Sequence, residues 1–217
     1  MSRRETEKYI RAGKISVNGE IIKDLGRQID PARDKVEIVG GKKRATDKKE
    51  TVIINKPRGI VSSRIKSEGK TVYDLFPQYK HLHIAGRLDK DSEGLLLLTN
   101  DGVLAKKLTS EAHVVEKEYR VFVREAVRPN VLSIMSRGMR LPDGMTLPAK
   151  TKRTGAHEFT ITLMEGRNHQ IRRMADAVHL TVGRLVRVRI GPLTLGTLKS
   201  GEARALSSNE IDILKKT

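Results

Sequence analysis

The sequence predicts an α+β protein: a small αβ unit at the N-terminus, then a larger domain whose central mixed or antiparallel sheet is flanked by helices. Three observations predict it. "KEYRVFV" (117–123) alternates apolar and other residues with the period of a strand, and "NHQIRRMADAV" (168–178) carries Ile171, Met174, Ala175 and Val178 at helical spacing. Between residues 42 and 50 the chain is charged and almost free of apolar side chains, which reads as a linker between a unit at 1–41 and a domain at 51–217.

The elements follow in order. "SRRETEKYIRAG" reads as a helix with a Ser2–Glu5 capping box and Gly13 as its stop. Arg3, Arg4, Lys8 and Arg11 make its outer face basic. "KISVNGEII" holds an Asn18-Gly19 turn between apolar runs, a hairpin signal, and "DKVEIVG" alternates as a further strand. In the larger domain "TVIINKP" is a short strand ended by Pro57, and "GLLLLTN" is a buried strand. Asn100 or Asp101 then caps the helix "GVLAKKLTS". "PNVLSIMSRGM" is a short helix, "EFTITLMEG" a strand, and "GRLVRVRIGPLTLG" a strand ending at a Gly-Pro turn. "SSNEIDILKKT" closes the chain with a second capping box, Ser207 to Glu210.

Charge narrows the partner. The net charge is +17, from 43 Lys and Arg against 26 Asp and Glu. The basic excess is spread along the whole chain, as expected of a protein that binds a large polyanion, which means nucleic acid. The bland alternative is a solvated basic surface. Aromatic residues are only 3% with no Trp, which argues against a platform that stacks several bases. Cysteine is absent, excluding disulfides, thiol catalysis and cysteine metal sites, and the six histidines show no metal-ligand spacing. No stretch is long enough to span a bilayer and the charged start has no signal-peptide pattern, so the expectation is a cytoplasmic protein away from membranes.

The stretch "AGRLDKDSEGLLLLTNDG" (85–102) concentrates the chemistry. It sets Arg87 and Asp89 two residues apart, directly ahead of the apolar run 95–98. A carboxylate can act at an anomeric carbon, by forming a sugar ester or by stabilising oxocarbenium character, and the C1′ of a nucleoside is such a carbon. That chemistry requires neither metal nor redox cofactor. On "GRLD" alone, Asp89 reads equally well as a turn or cap residue before a strand.

Five segments occur in order: "NKPRGIVSS" (55–63), "AGRLDKDSEGLLLLTNDG", "VEKEYRVFV" (115–123), "EGRNHQIRRM" (165–174) and "LVRVRIGPLTLG" (185–196). Together they resemble the RsuA/RluB/RluE family of bacterial ribosomal-RNA pseudouridine synthases, and "SRRETEKYIRAGKISVNGEIIKDLG" resembles the S4 RNA-binding domain. The S4 pattern normally holds another basic helix before this one, so the first helix is expected to be missing. His169 stands where the family more often has Arg; the related RluA-type synthases use His.

The resemblance implies an isomerase, used without cofactor or metal, that breaks the uridine C1′–N1 bond, turns the uracil and rejoins it through C5. Asp89 is implied as the essential catalytic residue, by attack on C1′ or by removing a 2′ proton. Tyr119 is implied to pack on the uracil and assist loss of the C5 proton, and Arg172 to pair with Asp89. Arg87 is similar to an arginine that fills the space of the flipped base. RNA contacts are further expected from Arg3, Arg4, Lys8 and Arg11, from Lys56 unless it only shapes the turn with Pro57, and from Arg173. Arg184, Arg187 and Arg189 are expected as one phosphate-facing edge or a solvent face. The partner is ribosomal RNA or a pre-ribosomal particle, bound by a monomer, with "DSEGLL" and the tail "RIGPLTLGTLKSGE" favouring the large subunit. The rivals are a non-catalytic RNA-binding assembly factor and an N-glycosidase that releases free base.

Overall fold

The computed structural model describes residues 3–30, 33–40, 49–110 and 115–216. The chain forms two compact units, Met1–Lys48 and Lys49–Thr217. Ser2, the side chain of Glu5 and most of the expected linker lie outside the described residues, as do the side chains of Arg3 and Arg4.

In the first unit α1 (Arg3–Arg11) is followed by β1 (Ile15–Val17), β2 (Glu20–Ile22) and β3 (Val36–Ile38), in the order β2-β1-β3. Gly13 ends the helix at φ 65°, a conformation glycine takes without a Cβ penalty. Asn18 and Gly19 both have positive φ, as a two-residue hairpin turn requires. Ile15, Val17 and Ile22 form a small core with Ile10, and Lys8 and Arg11 are exposed.

The second unit contains β4 (Thr51–Lys56), α2 (Val72–Leu75), β5 (His83–Ala85), β6 (Glu93–Thr99), α3 (Gly102–Thr109), β7 (Lys117–Val123), α4 (Pro129–Ser136), β8 (Arg140–Leu141) and β9 (Gly144–Met145). It continues with β10 (Lys150–Gly155), β11 (Glu158–Leu163), α5 (Gln170–Asp176), β12 (Val182–Ile190), β13 (Leu193–Thr194), β14 (Ala203–Ala205) and α6 (Ser208–Lys216). The main sheet runs β10-β11-β7-β12-β6-β4-β14, with β5 on β6 and β13 on β12. Every pairing is antiparallel except β6 with β12, a parallel seam of two partners, Val186↔Glu93 and Arg187↔Gly94. The mixed sheet flanked by helices is the predicted class.

The run 95–98 is fully buried because both faces of β6 are covered. Leu95 and Leu97 pack with Leu104 and Leu108 of α3 and Leu214 of α6, while Leu96 and Leu98 pack with Val72 and Tyr73 of α2. A third cluster joins Val121, Phe159 and Ile161 to Leu132 and Met135 of α4 and Ile171, Met174 and Ala175 of α5. Asp101 is the cap of α3, accepting from the amides of Val103 and Leu104.

The second capping box forms as read. Glu210 accepts from the Ser207 amide at 2.9 Å and donates its own amide to Ser207 Oγ at 3.3 Å. Arg204 adds bonds of 2.7 and 2.9 Å, and the guanidinium holds the Glu210 carboxyl down at about 2. A depressed carboxyl stabilises the fold above its ordinary value of 4.5, and that stability is lost as pH falls toward 2. Glu210→Gln is expected to cost about 1 kcal/mol at pH 7, and its difference from wild type should close between pH 4.5 and 2. Urea titrations of both proteins at pH 7 and pH 3 check this.

Candidate active site

Asp89 lies in the loop between β5 and β6. Each carbonyl from Gly86 to Asp91 accepts a hydrogen bond. Arg187 Nη2 donates to Gly86 (3.1 Å) and Nη1 to Arg87 (3.3 Å). Ser62 Oγ donates to Leu88 at 2.8 Å, and the Ser92 amide to Asp89 at 3.1 Å. The Gly59 amide and Lys56 Nζ both reach Lys90, at 2.8 and 3.4 Å, and Arg172 Nη2 reaches Asp91 at 3.0 Å. Leu88 anchors the loop in the core and Gly86 supplies its turn at φ 82°. So held, the loop presents an exposed Arg87 and leaves the Asp89 side chain 38% exposed. A carboxylate on a backbone this constrained is preorganised for reaction.

The contacts around Asp89 differ from those the resemblance implies. Among the described residues Arg172 forms no ion pair with Asp89; its guanidinium donates to the carbonyls of Asp91 and Val182 and so steadies the loop's backbone. The side chain facing the carboxylate is His169, whose Nε2 lies 3.7 Å from Asp89 Oδ1, an ion pair when the ring is protonated. His169 caps α5 in the left-handed conformation, φ 49° and ψ 27°. Beside it a cavity of about 320 Å³ opens, lined by Arg172, Arg173, Asp176 and Val182 among others.

Tyr119 is half-buried in β7 and packs against two of the three large clusters, the one under α4 and α5 and the one under α2. It is the register partner of Arg187. Directly opposed residues share a face of the sheet. The tyrosine therefore stands on the side from which Arg187 reaches the Asp89 loop.

One expected RNA contact is corrected, and a second already carries an ion pair. Lys56 is completely buried, and its ammonium donates to the carbonyls of Pro57 and Ile60 at 2.9 and 2.8 Å as well as to Lys90. Burial pulls its pKa down to about 8 against the opposing pull of Glu93, Asp89 and Asp91. It braces the loop from behind and cannot touch RNA. Arg173 is held bidentately by Asp143 at 2.8 and 2.9 Å, which raises its own pKa, and lies on the wall of the cavity beside His169. Nor do the three strand arginines form one edge. Arg184 pairs with Glu93, Arg189 with Glu116 and Glu118, and Arg187 is 2% exposed. Bulges on either side of the segment 184–187 break the simple alternation.

Comparison with known proteins adds to this geometry. Residues 50–177 match the family model described as RNA pseudouridylate synthase, and residues 2–34 match the S4 domain. The chain is 36% identical over 224 residues to the ribosomal large subunit pseudouridine synthase B of Bacillus subtilis, covering 99% of this chain and 90% of that one. It is also 36% identical over 217 residues to the dual-specificity RNA pseudouridine synthase RluF of Escherichia coli, covering 99% and 74%. A solved structure described as a crystal structure of pseudouridylate synthase is 34% identical with a TM-score of 0.74, covering 99% of this chain and 94% of the other.

Proposed function

Since the chain belongs to the RNA pseudouridylate synthase family, and is a pseudouridine synthase, we propose that its substrate is one uridine of large-subunit ribosomal RNA. The observation that carries the reading is the half-exposed Asp89 on a loop whose six carbonyls are all bonded. The target uridine is flipped out of the RNA at a cost of roughly a few kcal/mol, and Arg87, exposed at the loop's tip, fills the vacated space. Asp89 acts at the sugar, by attack on C1′ or by taking a 2′ proton. The C1′–N1 bond breaks, the uracil turns against the Tyr119 ring, and C1′ bonds to C5. The C5 proton then leaves with help from the Tyr119 hydroxyl, and N1 is left to gain one. Arg172 acts through the loop that carries Asp89.

In this reading residues 1–41 are the RNA-binding domain, with Arg3, Arg4, Lys8 and Arg11 on phosphates, 42–50 the tether and 51–217 the catalytic domain. The protein works as a monomer in the cytoplasm. No helix among the described residues is long and apolar enough to cross a membrane.

Mapping pseudouridines in ribosomal RNA with and without the gene tests the proposal. Loss of one large-subunit site is the expected result, and loss of none would favour the assembly-factor rival. Affinity for that RNA should also fall steeply with salt, by about 0.7 to 0.9 in log K per log salt for each phosphate neutralised. Deleting residues 1–41 should lower both affinity and slope. A nearly flat titration would mean the basic residues do not meet phosphate.

A further inference from the structure

Arg187 is 2% exposed, and among the described residues no carboxylate pairs with it. A buried guanidinium without a counterion is costly to desolvate, and hydrogen bonds to protein acceptors offset part of that. Here the acceptors are three carbonyls. Nε donates to Leu95 at 2.8 Å, and the two terminal nitrogens donate to Gly86 and Arg87. The flat fork of an arginine can span two successive carbonyls and a third strand at once.

The position of the side chain gives these bonds their meaning. The main sheet consists of two antiparallel halves, β10-β11-β7-β12 and β6-β4-β14, joined by the short seam of β6 with β12. Asp89 hangs from the second half through β5 and β6, and Tyr119 belongs to the first half. Arg187 belongs to the first half and is opposed by Tyr119, yet all three of its acceptors belong to the second. At the same point the strands approach unusually closely. A Cβ on Gly94 would lie 2.3 Å from the Arg187 carbonyl oxygen, so no larger residue fits. Ser62, Gly59 and Lys56 brace the loop from its own side of the seam.

We propose that Arg187 is a positioning residue for the isomerisation: it clamps the Asp89 loop to β12, the strand paired with β7 where Tyr119 stands opposite Arg187, and so fixes the separation of the carboxylate from the ring without touching RNA. The proposal rests on the function given above. Misplacing a reacting group by about 1 Å costs on the order of a hundredfold in rate. Loosening the clamp should therefore act on turnover and spare binding.

The test is Arg187→Lys, which keeps the charge but has no fork, with Arg187→Met beside it. Two measurements are made on the full chain. One is hydrogen exchange of the amides in residues 86–92; the other is single-turnover and steady-state kinetics on the target RNA. For Arg187→Lys, exchange in 86–92 should quicken at least about tenfold while Met1–Lys48 exchanges as in wild type. The kcat should fall at least about tenfold with KM within about threefold. Unchanged loop exchange, or a normal rate, would overturn the proposal, as would a rate that falls only as far as the folded fraction falls. If Arg187→Met does not fold, Arg187→Lys decides alone. A wild-type protein that turns over no RNA refutes the functional reading instead, and the exchange comparison still decides whether Arg187 holds the loop.

Discussion

Asp89→Asn is expected to abolish isomerisation while RNA affinity stays within a few fold of wild type. The loop's geometry does not depend on the carboxylate. Its carbonyls are held by Arg187, Ser62, Ser92, Gly59, Lys56 and Arg172, and all of those bonds go to backbone oxygens. Among the described residues the Asp89 side chain's one ion-pair partner is His169, 3.7 Å away when protonated, and the contact is long and partly exposed, so its loss costs at most about 1 kcal/mol of stability. Asparagine fits the same space and can neither attack C1′ nor take a proton. Losing an essential nucleophile or base typically lowers rate by about 10² or more. Tritium release from RNA labelled at uridine C5 measures it. Release above about a tenth of wild type would reject Asp89 as the reagent.

Tyr119→Phe should separate chemistry from packing. The ring packs on two clusters, and phenylalanine preserves those contacts. Among the described residues the hydroxyl makes no hydrogen bond, so removing it strands no buried partner and should leave thermal stability unchanged. If the hydroxyl assists departure of the C5 proton, single-turnover rate falls by about 10² or more. Tyr119→Leu loses the flat surface as well and should fail to hold the flipped base. A normal rate in the Phe variant would assign the residue to the core alone. A lost rate at wild-type melting temperature is the expected outcome.

Much of the fold was legible because its signals are local. The alternation in "KEYRVFV", the helical spacing in "NHQIRRMADAV" and the Ser207–Glu210 box each lie within about a dozen residues and each formed. The elements that escaped are short or polar. Strand β10 is an edge strand of mostly exposed Lys, Arg and Thr, and β5 and β14 have three residues each. For the candidate site, Asp89, Tyr119 and Arg87 are named through the motifs that carry the family resemblance. The supports are not. Arg187 and Leu95 are 92 positions apart, and a lysine or arginine whose partners are carbonyls looks in sequence like one facing water. In sequence Lys56 reads as an RNA contact or a turn former, and Arg187 as part of a phosphate-facing edge or a solvent face, although both side chains are buried. His169 appeared only as a departure from a family pattern; nothing local announced that it would face Asp89.

The left-handed backbone at His169 limits what can replace it. Non-glycine residues enter that region at a cost of roughly 1 to 2 kcal/mol, with Asn, Asp and His bearing it best and β-branched residues worst. The ring at the same position also faces Asp89, with Nε2 3.7 Å from Oδ1. Histidine suits both the left-handed main chain and the facing carboxylate, while arginine and lysine would enter the same backbone region at a greater cost. A replacement there meets two conditions at once, a left-handed main chain and a facing carboxylate.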